Sequence, residues 1–120
     1  MAITELDKSR WKDYFDRVSK TLRTKLVELD IESLKLGDQI EVEWAPLVGL
    51  TYDPKDDVMA VLVEGVDKRG GSGVVEHNIF QPKQIFVEQD VDTLHNIDVL
   101  DAEDEHHILI LKDPLPLPPP

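Results

Sequence analysis

Residues 39–57 of this 120-residue chain read QIEVEWAPLVGLTYDPKDD, and this stretch decides the predicted fold. At its start the apolar side chains of Ile40, Val42 and Trp44 alternate with polar ones, which is the two-residue period of a half-buried β-strand. Pro46 has no backbone N–H to donate, so it predicts an interruption or a bend before the apolar pattern resumes. The closing letters DPKDD are typical of a β-turn.

Six further runs predict strands on either side of this stretch. They cover residues 24–33, 58–63, 74–80, 85–89, 94–100 and 108–111. The run at 58–63 is apolar at every position, which favours a central strand covered on both faces. Turn signals separate the runs, and such a succession of short strands is typical of an antiparallel meander.

One helix is predicted ahead of the strands. Apolar side chains recur there at spacings of three and four, and Thr4 or Asp7 can cap the first turn. The stripe consists of Trp11, Tyr14, Phe15, Val18 and Leu22. Because three of the chain's seven aromatic residues lie in it, we expect this helix to cover the hydrophobic core.

These patterns predict an α+β fold, in which an N-terminal amphipathic helix packs on a twisted antiparallel β-meander of about seven strands. Pro46, with the bulge that Gly49 favours, would let the sheet curl toward a half-barrel. We expect residues 1–113 to form a single domain. Residues 114–120 read PLPLPPP and predict an extended, proline-rich C-terminal tail.

Composition limits the classes of partner. The chain is acidic, with 13 basic and 25 acidic residues and a net charge of −12, which argues against binding to nucleic acid or to an anionic membrane surface. No apolar run approaches the roughly 20 residues of a membrane helix, and the first residues lack the pattern of a secretory signal. The expected location is therefore cytoplasmic. With no cysteine, the chain has neither disulfides nor thiolate ligands.

The segment 98–107 concentrates carboxylates and imidazoles, the side chains that bind many metal ions. On an extended strand His106 and His107 point to opposite faces, so an ion would use only one of them, and His77 or His95 could supply a second imidazole. The spacing of a calcium loop and the His-x-x-x-His pair are both absent. The candidate metal ligands are His77, His107, Asp101 and Glu105. The alternative interpretation is a solvated, acidic hairpin tip.

No other motif indicates catalysis or a cofactor. The glycine-rich loop at 65–73 lacks the lysine of a P-loop and the last glycine of a nucleophile elbow, so a hairpin connection is the better interpretation. Glu41 and Glu43 share the polar face of their strand and should be ordinary exposed carboxylates. We therefore predict that the protein is not an enzyme and holds no cofactor.

Four segments resemble a family of short bacterial proteins classed as a domain of unknown function. They are the pattern DxxxWxxYF at 7–15, PLVGLTYDP at 46–54, HxIxxP at 77–82 and the ending ILILKDP at 108–114. The resemblance spans nearly the whole chain. It implies a stand-alone domain in a bacterial cytoplasm and supplies no catalytic or binding residue.

The functional prediction follows from the sheet, whose exposed edges must be covered by something. We predict a non-enzymatic domain that associates with another protein or with itself as a homo-oligomer, such as a homodimer. The alternative is a metal- or small-ligand-binding protein that uses a pocket between helix and sheet together with the histidine and carboxylate cluster.

Overall fold

A computed structural model describes residues 2–22, 25–35, 37–66, 72–90 and 93–113. A short 3-10 turn, Lys8–Arg10, leads into helix α1, Trp11–Leu22. The strands are β1 (Ala2–Leu6), β2 (Leu26–Ser33), β3 (Gly37–Asp53), β4 (Val58–Val66), β5 (Ser72–Phe80), β6 (Pro82–Gln89), β7 (Leu94–Asp101) and β8 (His106–Lys112). The proline-rich tail and the centre of the glycine-rich loop lie outside the described residues.

The eight strands form one unclosed antiparallel sheet in the order β1-β6-β7-β8-β2-β3-β4-β5. The predicted α+β class, with one N-terminal helix and an antiparallel sheet, is confirmed. Two meanders, β2 to β5 and β6 to β8, meet where β8 pairs with β2, so the sheet is not a single meander. Strands β1 and β5 form its two edges. The described helix α1 is neither long nor apolar enough to span a membrane.

The first strand was not predicted from the sequence. Thr4, considered as a helix cap, lies in β1 opposite Val87 of β6. Asp7 is the residue that caps, because its carboxylate accepts a hydrogen bond from the N–H of Ser9 at 3.2 Å. The large apolar residues of β1, Ile3 and Leu6, are three positions apart and show no two-residue period, so β1 exists because β6 provides a partner.

Strand β3 joins the two halves of the sheet and changes its partner midway. Up to Pro46 it pairs with β2, and from Leu47 onward it pairs with β4. The register shifts between Leu47 and Gly49, as expected for the predicted bulge. Trp44 adopts the left-handed conformation at φ 48°, which is uncommon for a bulky residue and marks the same bend.

Strand β4 is not central, contrary to the prediction from its continuous apolar run. It lies second from the edge, while β8 and β2 occupy the middle of the order. Met59, Val61 and Val63 are buried on the core face, and Leu62 on the opposite face is only half-buried. The apolar run of β4 is therefore buried throughout its core face, whereas on the opposite face only Ala60 is buried. The position of β4 depends on the pairing of β8 with β2, which no local pattern encodes.

Helix α1 covers the second half of β3, which among the described strands pairs with β4 alone. Trp11, Phe15 and Leu22 are buried against the sheet. The hydroxyl of Ser19 donates to the carbonyl of Leu50 at 2.8 Å and accepts from its N–H at 2.9 Å. Ser19 thereby satisfies both backbone groups that a further strand would otherwise pair.

We expect the free energy of unfolding to fall at alkaline pH, because the phenol of Tyr52 has a raised pKa. Burial, together with a 2.6 Å hydrogen bond donated to Asp57, raises the pKa of Tyr52 to about 12. Since the unfolded phenol ionises near pH 10, its contribution is fully present below pH 10 and is lost as the pH rises from 10 to 12. Urea unfolding of Tyr52→Phe across this range should show a shallower decline than the wild type. Tyr14→Phe, at a half-buried tyrosine whose hydroxyl has no hydrogen-bond partner among the described residues, should keep most of the decline. Equal declines in the wild type and in Tyr52→Phe would contradict this assignment.

Candidate functional site

The predicted metal ligands come together at one rim of the core, between β5 and the hairpin formed by β7 and β8. His107 Nε2 lies 2.9 Å from Asp101 Oδ2, and His107 Nδ1 lies 3.2 Å from His77 Nε2. Asp101, Glu105 and His107 each offer one ligand atom, and these atoms all lie within 4.8 Å of one another. We call Asp101, Glu105, His107 and His77 the rim cluster.

The tip of the β7–β8 hairpin positions Asp101. Its Oδ1 accepts hydrogen bonds from the N–H groups of Glu103 and Glu105 at 2.9 and 3.0 Å. The backbone N–H of Asp101 donates to the carbonyl of Glu105 at 3.0 Å, and Asp104 takes the left-handed conformation at φ 63° that this tight turn requires. One carboxylate oxygen thus holds the turn while the other faces His107.

Strand alternation separates the two adjacent histidines, as predicted. His107 is 5% exposed and faces the core with Asp101, which is 8% exposed. His106 is half-buried on the opposite face, where its Nδ1 lies 2.9 Å from Asp98. Of the two candidates for a second imidazole, the structure brings His77 to the cluster. The other, His95, pairs with Asp90 at 2.8 Å instead.

Electrostatics give the members of the cluster different charges at neutral pH. Burial lowers the pKa of His77, and the neighbouring His107 lowers it further, so His77 is neutral. Burial alone would raise the pKa of Asp101. The hydrogen bonds from His107, Glu105 and Glu103 outweigh this effect and hold that pKa below its usual value. Asp101 is therefore an ionised carboxylate in a nearly buried position.

A cavity of about 280 Å³ opens beside the cluster. Its lining comes from the end of β5 and from the β7–β8 hairpin, and includes Asn78, Phe80, Asp101, Glu105 and His107. No residue of α1 contributes to this lining. The larger cavities along α1, of about 440 and 360 Å³, contain no histidine in their linings. The structure thus separates the rim cluster from the helix–sheet pocket that the sequence interpretation had combined with it.

Two other surfaces are the polar face of β3 and the exposed face of the edge strand β5. Glu41 and Glu43 are exposed, as predicted. The sequence interpretation placed Val74 and Phe80 in a strand without assigning them a role, yet both are exposed on the edge strand β5. Their shared parity was the available signal, because side chains six residues apart on a strand project from the same face.

The structure defines the class of protein: a small α+β domain with one helix on an open antiparallel sheet and a polar cluster at its rim. Residues 2–120 match the model of DUF5335, described as a family of unknown function. A protein of Aquifex aeolicus (strain VF5), described as an uncharacterized protein, is 39% identical over 118 residues, which cover 98% of this chain and 99% of the relative. The chain therefore belongs to the DUF5335 family, which confirms the predicted resemblance. No solved structure matches the chain.

Proposed function

We propose that this protein is a non-enzymatic, cytoplasmic subunit that assembles with a second copy of itself through strand β5. The observation that carries the proposal is an open edge strand with a self-complementary exposed face. Both nitrogens of His107 are in hydrogen bonds with His77 and Asp101 rather than with a hydroxyl that could serve as a nucleophile. This arrangement supports a role other than catalysis.

Strand β5 has the features of an edge that another chain covers. It is nine residues long, and within the described residues its strand partner is β4 alone. The other edge, β1, has five residues. Three of the six exposed large hydrophobic residues in the described ranges lie on β5, namely Val74 at 58%, Val75 at 37% and Phe80 at 65%. Long apolar edges are templates for pairing with another strand.

The outer face of β5 is self-complementary in an antiparallel pairing centred on His77. This register places Val74 opposite Phe80 of the second copy, and Glu76 opposite Asn78 of the second copy. Each apolar residue then meets an apolar one, and each carboxylate meets an amide that can donate to it. A two-fold dimer repeats both contacts, as an isologous interface requires.

The curvature of the sheet belongs to the same proposal. His77 on β5 reaches His107 on β8, although β2, β3 and β4 lie between these strands in the sheet. Such a contact supports a curl toward a half-barrel, with β5 left as the open edge to which the second copy adds.

A charge exchange at two positions tests both the interface and its register. We expect sedimentation velocity to show a concentration-dependent dimer for the wild type and a monomer for Val74→Lys/Phe80→Lys, because the pairing would set lysines opposite each other. Val74→Lys/Phe80→Glu should restore the dimer, since each lysine then faces a glutamate of the second copy. Higher salt should strengthen the wild-type dimer by screening the net charge of −12 on each chain.

Ile3→Lys/Ile40→Lys is the matched control, because it places two lysines at exposed apolar positions outside β5. This variant should dimerise like the wild type. Circular dichroism at a concentration below the dimerisation range should show the same melting temperature for all three variants, because association itself raises the melting temperature. A wild type that stays monomeric at all concentrations contradicts the proposal, and so does a folded Val74→Lys/Phe80→Lys variant that still dimerises.

Ligand binding at the rim cluster is a second candidate function. The observation favouring it is a nearly buried histidine–carboxylate pair beside a cavity, which is a typical setting for a binding site.

A further inference from the structure

We infer that Asp101, Glu105 and His107 form a binding site for a divalent transition-metal ion of the zinc type, with His77 as the residue that orients His107. Imidazole nitrogen and carboxylate oxygen are both zinc ligands, and a site with three protein ligands leaves a fourth position for water. This inference rests on the second candidate function, ligand binding at the rim cluster, and does not depend on the proposed dimer.

The distances suit a small ion. With metal–ligand bonds of roughly 2.1 Å, two ligands of a tetrahedral ion lie about 3.4 Å apart. The three ligand atoms here fall within 4.8 Å of one another, so rotations of side chains are enough to close the site. The 2.9 Å contact between His107 Nε2 and Asp101 Oδ2 is now bridged by a hydrogen atom, whose place the ion would take.

The ligands are partly preorganised. The two backbone N–H groups that bind Asp101 Oδ1 fix its carboxylate with Oδ2 directed at His107. Asp101 and His107 are more than nine-tenths buried, so little water competes for them. Glu105 is half-buried at the cavity, which provides access for the ion and room for a water ligand. Its side chain makes no hydrogen bond in the described part of the chain and is available as the third ligand.

His77 has the position of a residue that orients a ligand. Metal-binding histidines usually donate their second ring N–H to a neighbouring acceptor. When an ion takes the lone pair of His107 Nε2, the proton of His107 resides on Nδ1 and is donated to His77 Nε2, 3.2 Å away. His77 then carries its own proton on Nδ1. The ion thus changes the tautomers of the two rings.

Titration calorimetry of the chelator-treated full-length protein tests the site. We expect one Zn²⁺ per chain and no binding of Mg²⁺, which prefers oxygen ligands. Glu105→Gln should weaken Zn²⁺ binding at least tenfold while leaving the melting temperature of the metal-free protein unchanged. His77→Gln should weaken binding by about 10- to 100-fold, the range for loss of a partner that orients a ligand.

His106→Gln is the matched control. His106 also contacts an aspartate, Asp98, but on the opposite face of the sheet and with no third ligand described nearby. The Zn²⁺ affinity of this variant should equal that of the wild type. Absence of stoichiometric Zn²⁺ binding overturns the inference. Equal losses of affinity in Glu105→Gln and His106→Gln also overturn it, because they would indicate nonspecific binding to an acidic surface.

Discussion

Replacing Trp11 with alanine is expected to lower the free energy of unfolding by about 3 to 5 kcal/mol, the range for removing a buried aromatic side chain. The ring is buried where three elements meet. Its indole N–H donates to the carbonyl of Leu6 at the end of β1, at 3.0 Å. The rings of Trp11 and of Tyr52 on β3 pack edge to face, with centroids 5.1 Å apart. The substitution therefore leaves a cavity and removes the link between β1, α1 and β3.

Urea unfolding followed by circular dichroism measures the loss, and the second tryptophan of the chain supplies the control. Trp44 is half-buried at the bend of β3, with the ammonium of Lys112 3.8 Å from the ring centroid. Trp44→Ala should cost only about 1 kcal/mol, because an exposed cation–π contact contributes about 0.5 to 1 kcal/mol. If Trp11→Ala costs no more than Trp44→Ala, the described role of Trp11 in joining the three elements is wrong.

The helix was predictable from the helical spacing of its apolar residues, and seven of the eight strands from apolar runs, alternating or continuous, that turn signals separate. Trp11, Phe15 and Leu22 repeat at helical spacing, and all three are buried. The alternation in β8 likewise gave the opposite orientations of His106 and His107. Strand β1 was not predictable, because its five residues become a strand only by pairing with β6. Local periodicity determines which face of an element is buried, but not which element it pairs with.

The order of the strands could not be predicted from the sequence either, because local periodicity does not determine which strands pair. A continuous apolar run placed β4 at the centre of the predicted sheet, whereas the pairing of β8 with β2 moves it next to the edge. That pairing joins residues about 80 positions apart, for example Leu26 and Lys112. Contacts between such distant segments depend on the packing of the whole chain, which a single sequence does not reveal through patterning.

The sequence predicted which residues form the candidate site, but not where in the fold the site lies. Asp101, Glu105 and His107 lie close together in sequence, so their clustering needed only a hairpin. The choice between His77 and His95 stayed open, because it depends on how the sheet curls to bring β5 to β8. The site was expected in a pocket under the helix, yet no residue of α1 lines the cavity beside it. Sheet curvature, rather than the helix, positions the cluster.

The two proposals use different residues of β5 and can fail separately, although Phe80 also lines the cavity beside the rim cluster. Val74 and Phe80 project from the outer face and are more than half exposed, whereas His77 projects inward to His107. The charge-exchange variants leave all four residues of the rim cluster in place. Glu105→Gln, in turn, leaves β5 unchanged. A monomeric protein that binds Zn²⁺ would therefore support the metal site and contradict the dimer. A dimer that does not bind Zn²⁺ would support the dimer and contradict the metal site.

Replacing Asp101 with alanine is expected to lower the free energy of unfolding of the metal-free protein by about 3 kcal/mol. Leaving a buried donor without its acceptor costs roughly 1 to 3 kcal/mol for each group. Here the change removes the acceptor for His107 and also the acceptor for two backbone N–H groups of the hairpin tip. Urea unfolding at neutral pH with chelator present measures this loss without a contribution from bound metal.

Two further variants show how much of the loss comes from the missing hydrogen bonds and how much from the burial of the pair. Asp101→Asn keeps an oxygen for the backbone N–H groups and an amide that can donate to His107, so it should cost about 1 kcal/mol, the usual contribution of one hydrogen bond. Asp98→Ala removes the corresponding partner of His106 on the opposite face, where both side chains are partly exposed, and should cost less than about 1 kcal/mol. If Asp101→Ala and Asp98→Ala cost the same, the buried pair contributes no more to stability than a surface pair. In that case the burial of Asp101 and His107 would have to be explained by ligand binding alone.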